Sequence, residues 1–176
     1  GEVGKLAAGY YKTALALINL ILMPINPFIA TTFPEISRAV GEKAWDKLKT
    51  LLKRLTTISA AWTFSVGIFL LIAGEWLITL FYGADYAPAT PAALILLLGF
   101  GTANILYWNR PLLLSLGMPT YPLKVMVITG IAKIGLSFLL VPRFGYLAQA
   151  ALMSTYFVVS VGIIVWKGMS EIRRRS

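Results

Sequence analysis

Three cations lie inside otherwise apolar sequence: Lys133 near the middle of one run, Arg110 about two turns from the end of another, and Lys12 near the start of a third. A charge at the centre of a membrane helix costs ~2.5–3.5 kcal/mol on insertion scales, so such residues usually face a cavity or an anionic partner. Lys133 is the sharpest case, because the nearest interface is ~15 Å from mid-span, beyond easy reach of a lysine stem. Thr129, Gly130 and Ser137 share its helical face. Two roles stay open for it: lining a hydrated cavity, or a structural hydrogen bond inside a bundle. Arg110 can snorkel more easily, and Lys12 is expected to do so at the outer surface. No acid sits mid-run; Glu75 and Asp85 are both near the outer surface. A cationic lining suits an anionic substrate, and phosphate is the usual partner of guanidinium and ammonium groups.

One further polar set accompanies them. Lys12, Ala16, Asn19, Met23, Asn26 and Ala30 recur at helical spacing and form one stripe. Asn19 and Asn26 either hydrogen-bond between helices or line the same cavity.

The elements that must position these residues are five apolar runs, at about 6–33, 55–82, 87–116, 122–141 and 146–166. Each reaches the ~20 residues that a helix needs to cross ~30 Å of hydrocarbon. The composition agrees: 58% hydrophobic and 13% charged, against about 45–50% and ~25% in a soluble domain, with mean hydropathy +0.77. The expected fold is all-α integral membrane, a single membrane domain over residues 1–176. Pro24 and Pro27 should kink or break the first run, which ends at Pro34. An amphipathic interfacial helix is expected over about 35–53, where Ile36, Val40, Ala44, Leu48 and Leu51 recur between charges. Gly83 permits a tight turn, with Asp85 able to cap the next helix. Pro142-Arg143-Phe144-Gly145 is a short turn between the last two runs. Gly99, Gly130 and Gly135 are expected to allow close helix approach, and Gln149, Met153, Tyr156 and Ser160 form a mildly polar packing stripe.

Of the 16 basic residues, eleven fall on one side: six after the first run, one after the third and four in the tail. Only Lys5 and Arg143 fall on the other. The positive-inside rule then puts the N-terminus outside and the C-terminus in the cytoplasm of a multi-pass plasma-membrane protein. The net charge of +9 reflects these flanks rather than an exposed basic patch, so nucleic acid is not an expected partner. Without cysteine or histidine, disulfides, thiol chemistry and most zinc and haem sites are excluded. No nucleophile–base pair, phosphate-binding glycine loop or metal-ligand cluster appears, so neither an enzyme nor a cofactor is expected. A membrane transferase would have only Glu75 and Asp85 to work with. The chain starts at Gly1 with no signal segment, and is expected to be a fragment of a longer protein.

Four segments, in order, carry a resemblance: Gly9-Tyr10-Tyr11-Lys12-Thr13-Ala14, Phe33-Pro34-Glu35-Ile36-Ser37-Arg38, Phe81-Tyr82-Gly83-Ala84-Asp85-Tyr86-Ala87-Pro88-Ala89 and Val141-Pro142-Arg143-Phe144-Gly145. Together they resemble the C-terminal half of polysaccharide-biosynthesis flippases of the multidrug/oligosaccharidyl-lipid/polysaccharide exporter superfamily, which includes O-antigen (lipopolysaccharide) flippases. The resemblance implies two helical bundles that rock about a central cavity, these runs being most of the second bundle and the first being missing. It implies an undecaprenyl-pyrophosphate-linked oligosaccharide moved from the cytoplasmic to the outer leaflet. On that reading Lys133, with Arg110 and Lys12, attracts pyrophosphate or acidic sugars, while Asn19, Asn26 and Thr129 bind sugar hydroxyls. The alternatives are a drug or small-molecule exporter of the same superfamily, and a non-transporting membrane scaffold subunit.

Overall fold

A computed structural model describes the backbone of residues 2–22 and 26–176 and the side chains of residues 4–22 and 31–176. The helices are α1 (Glu2–Leu22), α2 (Asn26–Gly41), α3 (Trp45–Tyr82), α4 (Thr90–Ile105), α5 (Asn109–Ser115) and α6 (Thr120–Arg175), with a 3-10 helix at Ala84–Ala89. Among the described residues, three helical stretches, Trp45–Tyr82, Ala84–Ser115 and Thr120–Arg175, are long and apolar enough to cross a membrane. The surface fits that solvent, with Ile72 82% and Phe138 79% exposed.

The 56-residue α6 is two arms. At Gly145 the backbone leaves the helix with φ 68° and ψ −152°. The arms, residues 120–144 and 146–175, fold back on each other. The Ser137 hydroxyl donates to the Gln149 side-chain oxygen Oε1 at 3.1 Å near the turn. The Lys167 ammonium lies 5.9 Å from the Tyr121 ring centre at the far end. The turn expected at 142–145 is therefore present.

Two stacked cores hold the bundle. One joins α1 (Leu17, Ile18), the later half of α3 (Leu70, Ile78) and α4 (Ala92, Leu96). The other joins α2 (Ile36, Ala39), the start of α3 (Leu48, Leu52), α5 (Leu112, Leu113) and α6 (Ile164, Ile172). α3 runs through both. Because lipid is as apolar as these side chains, association rests on close packing and interhelical hydrogen bonds. Small residues supply the closeness. A Cβ on Gly99 would overlap the Ser154 backbone, and one on Gly101 would come within 2.9 Å of Thr63 Cγ2. Gly130 lies against the Tyr156 ring, whereas Gly135 faces open space and serves no close approach.

Several expectations are corrected. The first apolar run is distributed over α1 and α2, with Pro24 outside the described residues and Pro27 the second residue of α2. Pro34 does not end the helix, which continues to Gly41 because Ile36 and Ala39 pack into the second core. The single amphipathic helix expected over 35–53 is divided between α2 and α3. Lys43 takes a left-handed φ of 53°, and its N–H bonds the Val40 carbonyl while that of Ala44 bonds Ala39. That is a Schellman stop. Gly117, at φ 79°, ends α5 with the same pair of bonds, to Leu114 and, from Met118, to Leu113. A left-handed L-residue costs roughly 1–2 kcal/mol, partly offset by the greater chain entropy of glycine. Lys43→Gly should therefore raise stability by up to about 1 kcal/mol, read as a higher unfolding temperature in detergent.

The third run is also interrupted. α4 stops at Ile105 and α5 begins at Asn109, because the Pro111 ring excludes the carbonyl four residues earlier. Side chains at the break make hydrogen bonds, of which the one from Asn109 satisfies a backbone carbonyl there. Tyr107 meets Thr32 at 3.0 Å, the Trp108 indole donates to Thr56 at 2.8 Å, and the Asn109 amide donates to the Leu106 carbonyl at 2.6 Å. Asp85 caps no helix: it sits exposed inside the 3-10 helix, and α4 starts after Ala89 without a side-chain cap.

Candidate functional site

The hairpin of α6 creates a cleft between its arms. Thr129, Lys133 and Leu136 line it from one arm, and Leu152, Thr155 and Tyr156 from the other. Lys133 is half-buried, and among the described residues no carboxylate pairs with it. An ammonium carries three donors and no acceptor, so this group holds unspent capacity for an anion. The Thr129 hydroxyl donates to the Val125 carbonyl at 2.7 Å, and Thr155 likewise donates to Ala151. These hydroxyls therefore present acceptor lone pairs to the cleft. At about 130 Å³ the cleft is well below the ~300–1,000 Å³ of sites that enclose a small molecule. It is a niche for one charged group, not a chamber for an oligosaccharide.

The structure brings Lys133 and Thr129 together and leaves the other candidates elsewhere. Lys12 and Asn19 share an exposed face of α1 with Ala16, opposite the buried Thr13, Ala14, Leu17 and Ile18. Arg110 is exposed on α5, beyond the helix break. The side chain of Asn26 lies outside the described residues. Among the described residues, no hydrogen bond or ion pair connects Lys12, Asn19 or Arg110 to Lys133.

Sequence reasoning missed the second wall of the cleft. Tyr156 was legible only as part of the stripe with Gln149, Met153 and Ser160. Gln149 does more than pack. Its side chain meets both Ser137 and the Tyr11 hydroxyl, tying α1 to both arms one turn from Lys133. The neighbouring end of the bundle is a tyrosine cluster. The Tyr10 ring meets Tyr86 at 5.9 Å and Tyr146 at 5.5 Å, both edge-on. The Tyr146 hydroxyl donates to the Pro88 carbonyl at 2.8 Å. The segments starting at Gly9 and Phe81 thus meet here, joined by Tyr146, which directly follows the Val141 segment. The segment starting at Phe33 lies in the other core, where Ile36 is buried and Ser37 meets Ser115 at 2.8 Å.

A buried acid was also missed. Glu171, five residues past the last apolar run, is 3% exposed. It receives hydrogen bonds from Arg175 at 2.8 Å and Arg174 at 2.9 Å, with Lys167 at 4.0 Å. The bond from Arg175 leads in holding its carboxyl below the ordinary carboxylate value, against the opposing effect of burial. Arg175 also donates to the Leu116 carbonyl at 3.3 Å, so this cluster pins the tail to the end of α5. Its signal was the spacing of one acid four residues after a lysine and three and four before two arginines.

Among the described residues no cluster of acidic, histidine or cysteine side chains could hold a metal. No curated protein and no solved structure matches the chain. A family model described as polysaccharide biosynthesis protein matches residues 2–91, just over half of the 176. That match spans the tyrosine-rich start of α1, the Phe33 segment and the Phe81 segment, each of which contributes to one of the two cores. This helical membrane chain belongs to the polysaccharide biosynthesis protein family.

Proposed function

We propose that this chain is part of a transporter that flips an undecaprenyl-pyrophosphate-linked oligosaccharide from the cytoplasmic to the outer leaflet of the plasma membrane by alternating access. The half-buried, unpaired ammonium of Lys133 carries the reading. A cation kept at that depth without a carboxylate has its cost offset by an anion that visits it. In this proposal the chain crosses the bilayer five times, with α1 starting outside and the tail in the cytoplasm. The open Lys12–Asn19 face of α1 lines the path against a companion bundle of the same protein. Transport rather than catalysis is the role, since the cleft supplies a charge and no acid–base pair.

The test is complementation of cells lacking a lipid-linked oligosaccharide flippase, using the full-length parent protein. Losing a hydrogen bond to a charged group costs ~1.5–3 kcal/mol, so Lys133→Ala should lower surface glycan export about 10–100-fold at equal expression. Lys133→Arg should retain most of it. Normal export by the well-expressed alanine variant would remove Lys133 from the mechanism.

A further inference from the structure

Where α2 turns into α3 lies a polar cleft of about 610 Å³, within the ~300–1,000 Å³ of sites that enclose a small ligand. The left-handed residue Lys43 turns α3 back against α2, over the core that Ile36, Ala39, Leu48 and Leu52 share. Glu35 and Arg38 line the cleft from α2, and Asp46, Lys47, Thr50 and Arg54 line it from α3. Ala39 and Leu51 are its apolar lining.

The charges of this cleft are largely uncommitted. Among the described residues, Arg38, Lys47 and Arg54 are exposed and have no carboxylate within ion-pair distance. Glu35 likewise has no cation at that distance, and Asp46 meets only Lys49, at 3.8 Å, through a fully exposed carboxylate. Three cations against two carboxylates leave one positive charge, which matches the single negative charge of a phosphodiester. Guanidinium and ammonium groups only donate, and phosphate is their usual partner. The remaining groups only accept: the Glu35 carboxylate, and the Thr50 hydroxyl, whose proton goes to the Asp46 carbonyl at 2.9 Å. A phosphodiester with hydroxyls beside it satisfies both sets. A choline headgroup offers the acceptors no proton and adds a positive charge of its own.

The position of the cleft points to a lipid. Arg54 directly precedes the apolar run that begins at Leu55, so this wall ends at the edge of the hydrocarbon. α3 continues without interruption from Trp45 to Tyr82. At ~100° per residue, Ile58 and Trp62 lie within about 80° of the direction of Arg54, one and two turns further on. They are 50% and 40% exposed. A charged cleft is thereby continued by an open apolar strip, the order of headgroup and acyl chain in one leaflet.

We infer that the α2–α3 cleft binds the headgroup of an anionic glycerophospholipid of the phosphatidylglycerol type, with its phosphodiester on Arg38, Lys47 and Arg54 and its hydroxyls toward Glu35 and Thr50. The occupant is a lipid of the surrounding bilayer. The site shares no residue with the Lys133 cleft and does not depend on transport. One phosphate held from both walls ties α2 to α3 and clasps the turn at Lys43.

The experiment is native mass spectrometry of the purified full-length protein with phosphatidylglycerol, in competition with phosphatidylcholine of the same acyl chains. Wild type should retain phosphatidylglycerol preferentially. Arg38→Gln with Arg54→Gln should weaken that retention about tenfold or more. Lys53→Gln with Lys124→Gln removes the same charge from exposed positions outside the cleft, and should leave retention within about twofold. A photoreactive leucine analogue at position 51 reads the site with every charge in place, and should crosslink to phosphatidylglycerol in preference to the choline lipid. The deacylated headgroup, glycerophosphoglycerol, separates a lipid from a soluble phosphodiester. It should compete only at far higher concentration, because it lacks the chains that meet Ile58 and Trp62. Equal retention of the two lipids, or equal loss from both pairs of substitutions, reduces the cleft to diffuse surface charge and overturns the site. Competition by the deacylated headgroup at the same concentration as the lipid overturns the lipid assignment.

Discussion

Gly99→Leu is expected to destabilise the bundle by at least about 3 kcal/mol, at the upper end of what overpacking costs. The reason is what the new atoms would meet. A Cβ at this position overlaps Ser154 Cα and comes within 2.9 Å of the Ser154 carbonyl oxygen. Flexible side chains yield by changing rotamer, but here the obstacle is the backbone of a packed helix. α4 and the second arm of α6 would have to separate. The bond from the Ser154 hydroxyl to the Ile95 carbonyl and the Phe100–Phe157 ring contact at 4.6 Å would loosen with them. Removing a mid-helix glycine returns only about 0.5–1 kcal/mol of helix propensity, too little to offset this. Gly135→Leu is the matched control, because nothing lies within 4 Å of a Cβ there. Unfolding temperatures of the two purified variants in the same detergent decide the matter. Equal values would mean that the α4–α6 contact is not tight.

The same pair of glycines shows what could be read without coordinates. Both lie in apolar runs, and both looked like small packing residues, yet only Gly99 meets another backbone. Helix rotation decides which face is inward, and a run that is apolar all round carries little rotational signal. Lys133 was legible because a lone charge in such a run marks its own face, and Thr129 followed from i−4 spacing. Tyr156 was not, since pairing the arms of α6 requires knowing where the chain reverses and how each arm is turned. Pro142 to Gly145 gave the reversal. The break before Asn109 was hidden inside a continuous hydrophobic stretch, with Pro111 as its one mark. The stop at Lys43 had no compositional mark, because lysine rarely adopts a left-handed conformation. Arg110 stands in a run that reads as one helix, and the break before Asn109 changes the register in which it is presented.

Gly145→Ala is expected to cost about 1–3 kcal/mol, the usual range for a residue held in a glycine-only region of backbone space, and D-alanine at the same position is expected to cost almost nothing. Open space surrounds the site, so no collision with a neighbour contributes. The cost lies in the backbone alone: φ 68° with ψ −152° is close to the mirror image of polyproline II, near −75° and +145°. A Cβ of L-configuration is strained there, and one of D-configuration is at ease. Semisynthesis of the chain with L- or D-alanine at position 145 separates this from any effect of side-chain size, read by thermal unfolding in detergent. Similar losses from both enantiomers would show that the hairpin does not depend on this conformation. The consequence reaches the cleft. Ser137–Gln149, Gly130–Tyr156 and the wall opposite Lys133 all depend on the second arm returning along the first. An L-residue that opens the turn removes that wall and with it the niche around the ammonium. In the complementation assay the L-alanine protein should then lose export together with stability, whereas Lys133→Ala should lose export with its fold intact. That difference separates a residue that builds the niche from the one that uses it.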